Sequence, residues 1–214
     1  MRKQLAAGIA TASLIFGSFV LFSLPATNAA SAATLSPWVY DPGAACPGVS
    51  STVSATGALT LSKPCPTPTN ASAGAQITGL EGQSTTGLTL SYDVAGYCGA
   101  GAPRFNVYLS DGSTVFLGCI YGNDGTGHVS FTAGNTYGGV LFPTGATITG
   151  IDIVQDETGT TTLSNISVNG TPVMVSAQTL KDQCKNGGWM TMTDASGNSF
   201  KNQGQCVSYF ARQK

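Results

Sequence analysis

Charge is scarce in this sequence. Lys, Arg, Asp and Glu together make up 9% of its 214 residues, against roughly 25% in an average soluble protein. Disorder does not explain this, because 42% of the residues are apolar, whereas disordered chains combine low hydrophobicity with high net charge. There is no basic run and no regular Lys or Arg stripe, which argues against nucleic acid as a partner. A single histidine, His128, rules out a His-Glu-x-x-His zinc motif, and no Cys-x-x-Cys pair or phosphate-cradling glycine loop is present. No Gly-x-Ser-x-Gly elbow accompanies His128, so a Ser-His-Asp triad has no support. A surface or strand-edge histidine is the expectation there.

Long apolar runs are also missing, with one exception. Arg2 and Lys3 precede an uncharged apolar stretch from Leu5 to Leu24, followed by Pro25 and the small residues Ala26 to Ala33. Basic end, apolar middle and small-residue cleavage site are the order of a secretory signal, expected over residues 1–32 with cleavage near Ala32. A retained anchor is the competing reading, since about 20 apolar residues can span a bilayer. Small residues dilute this run and Pro25 ends it. The mature chain is expected to be extracellular, monomeric and without a membrane span.

What is present begins with six cysteines: Cys46, Cys65, Cys98, Cys119, Cys184 and Cys206. An even count behind an export signal reads as a disulfide framework. Pairing of neighbours is favoured among the possible connectivities because each pair falls within one segment. Each such bridge would contribute on the order of 3 kcal/mol by closing a loop of about 20 residues.

The few charges are unevenly divided. Residues 34–175 hold two cations, Lys63 and Arg104, against eight acids, a net charge of −6, while residues 176–214 carry a net +3. This marks a boundary between a body over 33–175 and a small basic C-terminal module over 176–214. Within the body, Ala58–Ser62, Gly87–Tyr92, Phe105–Leu109 and Thr147–Ile153 alternate apolar and polar residues as half-buried strands do. Asp111-Gly112, Asp124-Gly125 and Asn169-Gly170 supply turns, the last being a strong hairpin signal. The expectation is an all-β fold, a jelly-roll-like β-sandwich, with a barrel as its main competitor. In the tail, two short segments flank a polar loop from Asp194 to Ser199, with Trp189, Phe200 and Phe210 around a Cys184–Cys206 staple.

The phrase Cys98-Gly-Ala-Gly-Ala-Pro-Arg-Phe-Asn-Val107, followed by Leu117-Gly118-Cys119, resembles a recurrent β-sandwich domain of secreted bacterial proteins, mostly of unassigned function. The tail segments Gln183-Cys-Lys-Asn-Gly-Gly-Trp189 and Phe200-Lys-Asn-Gln-Gly-Gln-Cys-Val207 resemble a module that often follows such domains. This resemblance implies a secreted, disulfide-bonded lineage and brings no catalytic residues with it.

Three groups of residues are candidates for function. Arg104 either pairs with a nearby carboxylate or anchors an anionic ligand. Asp152, Asp156 and Glu157 cluster at a strand end, where acids can be solvated, bind Ca²⁺ or act as a glycosidase pair. Trp38, Tyr40, Tyr97, Tyr108, Tyr121, Tyr137 and Trp189 could offer flat platforms for sugar rings, although most aromatics in such a domain belong to the core. Tyr121 and Tyr137 flank the Gly-rich stretch Gly122–Asn135 and make that region the first expected binding face. The function expected is non-catalytic binding or envelope association, with cell-wall or other extracellular glycan as the ligand class. An extracellular carbohydrate hydrolase using paired carboxylates is the alternative. No cofactor is required, and calcium is the one candidate ion.

Overall fold

A computed structural model describes residues 32–185 and 187–212. The export segment expected over 1–32 therefore lies, apart from Ala32, outside the described residues. The fold is mostly β, arranged as two main sheets and a small hairpin.

The strands in chain order are β1 (Thr34–Tyr40), β2 (Ser50–Val53), β3 (Leu59–Lys63), β4 (Ser72–Thr78), β5 (Thr89–Gly96), β6 (Arg104–Leu109) and β7 (Thr114–Gly118). They continue with β8 (His128–Thr132), β9 (Thr136–Tyr137), β10 (Val140–Leu141), β11 (Ile148–Gln155), β12 (Gly159–Val168), β13 (Thr171–Pro172) and β14 (Met174–Val175). The first sheet has the order β14-β1-β4-β11-β6-β7, and the second β2-β3-β12-β5-β8, with β13 pairing β12. The β9–β10 hairpin stands apart.

Alternation decides which side chains meet between the sheets. Leu59 and Leu61 of β3, Leu90 and Tyr92 of β5, Phe105 and Val107 of β6, and Ile151 and Ile153 of β11 are fully buried in one cluster. Tyr92 and Phe105, from opposite sheets, have ring centroids 5.2 Å apart, and Phe131 of β8 meets Phe105 edge-on at 6.0 Å. The Tyr92 hydroxyl donates to the Pro103 carbonyl at 3.2 Å, and burial pushes its phenol well above the usual range.

Two breaks interrupt the alternation. In β11 the inward set passes from Ile148 to Ile151, and the pairing with β6 shifts register between Ile148 and Gly150. In β12 it passes from Leu163 to Ile166, and the pairing with β5 shifts between Ser164 and Ser167, with Asn165 at φ +52°. An extra residue on one strand is how a sheet changes the face that its side chains present. The Asn169-Gly170 turn, with both residues at positive φ, joins β12 to β13 as the hairpin rule requires.

Helix α1 (Cys119–Gly122) is a single turn; α2 (Ala177–Gln183) and α3 (Gln203–Ala211) lie in the tail. Ser176 and Asn202 cap α2 and α3, accepting from Thr179 N and Gln205 N at 3.0 and 2.9 Å. The tail packs against the sandwich. Leu180, Met192, Phe200 and Phe210 belong to the same buried cluster as the sandwich residues, and Gln183 Oε1 accepts from Val53 N of the β2 edge at 2.9 Å. Disulfides join Cys46 to Cys65, Cys98 to Cys119 and Cys184 to Cys206. Such bridges fit an oxidising compartment. Among the described residues, no helix is long and apolar enough to cross a membrane.

Candidate functional site

Lys63 occupies the last inward position of β3 and is almost completely buried, at 1% exposure. A lysine there must find partners for all three of its N–H groups. Its Nζ donates to the carbonyls of Thr67, Thr69 and Asp156 at 2.9, 2.8 and 2.6 Å. The ammonium thereby ties the 64–71 loop to the turn between β11 and β12. Thr158 reinforces the junction, donating through Oγ1 to the Cys65 carbonyl at 2.8 Å.

The glycines of the Cys98–Val107 phrase make room for this turn. A Cβ on Gly99 would stand 2.7 Å from Glu157 Oε2, and one on Gly101 would collide with Glu157 Oε1. A Cβ on Gly118 would collide with the Ala100 carbonyl. Glu157 therefore nests against bare backbone and accepts a 2.6 Å bond from the Tyr97 hydroxyl. The Cys98–Cys119 bridge holds the same loop to the end of β7.

Arg104 opens β6 beside this loop. One guanidinium nitrogen donates to the Gly101 carbonyl and to Asp156 Oδ1, each at 2.6 Å, and Nε donates to Asn106 Oδ1 at 2.8 Å. The guanidinium carbon stands 5.3 Å from the centroid of the Phe116 ring. Arg104 thus has the carboxylate partner that one of its two expected roles calls for. The pair is partly open to solvent, with side-chain exposures of 16% for Arg104 and 37% for Asp156.

A groove of about 550 Å³ opens above these groups. Tyr40, Asn70, Ser72, Arg104, Asp156 and Glu157 contribute to its walls. Tyr40 is 49% exposed, and Lys63 lies in the floor with its donors already used.

The groove adjoins the outer face of the first sheet. Strand register places Trp38, Gly74, Val154 and Arg104 in one row across β1, β4, β11 and β6. The next row holds Ser36, Gln76, Asp152, Asn106 and Phe116. Gly74 is required where it stands, because a Cβ there would collide with the Trp38 indole. Hydrogen bonds run from one row to the next: Arg104 to Asn106, Asn106 Nδ2 to Tyr108 Oη at 3.4 Å, and Tyr108 Oη to Asp152 Oδ2 at 3.0 Å. Burial pushes the Asp152 carboxyl above the usual carboxylate range, opposed by hydrogen bonds from Tyr108 and Trp38.

The three acids proposed for calcium are thus placed differently from one another. Asp156 is paired with Arg104, Glu157 is bonded to Tyr97, and Asp152 sits on the sheet face. Among the described residues, no group of three His, Cys, Asp or Glu side chains gathers as metal ligands. Tyr137 packs edge-on against Phe131 at 4.9 Å, and its hydroxyl accepts from Thr132 N at 2.7 Å. Tyr121 is 47% exposed and lies against Gly138. His128 is exposed at the start of β8, with Nδ1 2.7 Å from Asp93 Oδ1.

No family model matches the sequence, and no curated protein matches it. Sequence reasoning alone gave Gln76 and Asn106 no role, and it named Trp38 and Tyr40 only as two aromatics among several. Their signal lies in strand order, which brings together residues from three separate stretches of chain.

Proposed function

We propose that this is a secreted, non-catalytic protein that binds a cell-wall or other extracellular glycan in the groove walled by Tyr40, Asn70, Arg104, Asp156 and Glu157. The observation that carries this reading is that an open aromatic ring, Tyr40, and several hydrogen-bonding side chains line one groove. Sugars present apolar ring faces and polar edges, and a site needs both kinds of partner. Asp156 is held by Arg104 and Glu157 by Tyr97. That arrangement favours fixed hydrogen bonding over proton transfer.

Binding to a broad glycan array, followed by calorimetry on the best ligand, tests the proposal. Tyr40→Ala is expected to weaken binding roughly tenfold, the scale of a lost aromatic contact. A silent array, or unchanged affinity in a folded Tyr40→Ala protein, would overturn it. Release of reducing ends from a bound glycan would instead favour the hydrolase alternative.

A further inference from the structure

We infer that the ligand runs from the groove onto the outer face of the first sheet, and that the sugar seated by Trp38 carries a free amino group which meets Asp152. This rests on the glycan-binding reading above and adds a second subsite and a chemical class to it.

Asp152 is the central observation. It is a half-buried carboxylate whose partners are neutral donors, the Tyr108 hydroxyl and the Trp38 indole. The ion pairs among the described residues are Arg104–Asp156, His128–Asp93 and Lys185–Asp182, so Asp152 has no cation in ion-pair contact there. Desolvating a carboxylate without an opposite charge is unfavourable, and an ammonium brought by a ligand would supply the missing charge. Trp38 adds an aromatic surface beside it, which attracts both a sugar face and a cation.

The surrounding field has the same sign. The body carries a net charge of −6. Its two cations are both committed, Lys63 to three backbone carbonyls and Arg104 to Asp156. A polyanionic glycan would meet repulsion on this surface, and an aminated one attraction. Continuity between groove and face comes from the hydrogen-bonded series Asp156–Arg104–Asn106–Tyr108–Asp152. The row from Trp38 to Arg104 crosses three strand spacings, about 14 Å, which is room for more than one sugar.

The test compares glucosamine oligosaccharides with fully N-acetylated ones of equal length, in mildly acidic buffer, by calorimetry. The intact protein should bind the aminated series at least tenfold more tightly, and added salt should erode that preference. Asp152→Asn should bring the two series to similar affinity, while Trp38→Ala should weaken both. Equal affinity for the two series in the intact protein overturns the inference and needs no variant to show it. So does a preference that survives in Asp152→Asn. Binding of other glycans with neither series bound defeats the amine subsite and leaves the groove reading standing; silence on every glycan defeats both.

Discussion

Replacing Lys63 by Met keeps the length and much of the apolar stem of the side chain while removing the ammonium. Three carbonyls, those of Thr67, Thr69 and Asp156, then lose the donor that the buried ammonium supplies. Hydrogen bonds to a charged group contribute about 1.5–3 kcal/mol each, so three at the low end amount to about 4.5 kcal/mol. Against this, the Met variant no longer buries an ammonium, and removal of buried charge can itself be stabilising by about 1 kcal/mol or more. The expected net loss is about 3 kcal/mol. For a domain of this size, that corresponds to a melting temperature lower by about 6–12 °C.

Thermal and urea unfolding of Lys63→Met against the parent protein would measure it, with an unchanged urea slope marking a stability effect rather than a change of compactness. Lys185→Met is the control for loss of one positive charge. Its exposed pair with Asp182 lies three residues along one helix end, and the expected effect is within about 0.5 kcal/mol. If Lys63→Met unfolds within about 0.5 kcal/mol of the parent, or is more stable, the carbonyl cage does not hold the groove floor together.

Gly74→Ala is expected to destabilise by about 1–3 kcal/mol, because the new methyl meets the Trp38 indole and stands 2.7 Å from the Ile153 carbonyl. Displacement of Trp38 should also move the intrinsic tryptophan emission, and unchanged emission with unchanged stability would contradict the packing described. Asp152 sets a pH prediction of definite sign. Burial raises its carboxyl in the fold, so the native state holds the proton more tightly than the unfolded chain does. Its contribution to stability is therefore greatest in acid and falls as pH rises from the ordinary aspartate range through the raised value. Asp152→Asn should gain on the parent across that window in melts taken at several pH values, and a constant or reversed gap would refute the assignment.

The sandwich was legible because its strands obey period two closely. Leu59, Leu61 and the Leu88–Leu90–Tyr92 series announce their faces in the sequence, whereas Thr147–Ile153 reads as regular alternation and the bulges at Ile148–Ile151 and Leu163–Ile166 emerge only from strand pairing. The neighbour pairing of the cysteines was legible for a similar reason, since each pair closes a short local loop. The groove was not, because it depends on which strands lie side by side. Trp38, Gly74, Asp152 and Asn106 share a surface only after β4 and β11 enter between β1 and β6. Local sequence pointed instead to Tyr121 and Tyr137, which flank a glycine-rich stretch and so looked like a loop-borne platform. Lys63 gave a signal that went unused: strand period placed a lysine inward, and such a conflict between pattern and residue type marks a site with special partners.

The scarcity of charge takes on a different meaning once the two outer faces are compared. On the second sheet the outward positions are paved with hydroxyls that bond to one another across strands: Thr60 with Thr162, Ser62 with Thr160, and Ser91 with Ser167, at 3.2, 2.8 and 2.7 Å. That face stays hydrated through alcohol groups, and Asp93 with His128 is its one ion pair among the described residues. On the first sheet, Trp38, Tyr108, Asp152, Asn106 and Arg104 occupy the outward positions, with the groove at one end. A chain that solvates one face without charge has no general need of charged side chains on the other. Asp152, partly desolvated and without a cation in ion-pair contact among the described residues, keeps only neutral donors on that face. The aminated ligand proposed above would bring the opposite charge that this carboxylate lacks there.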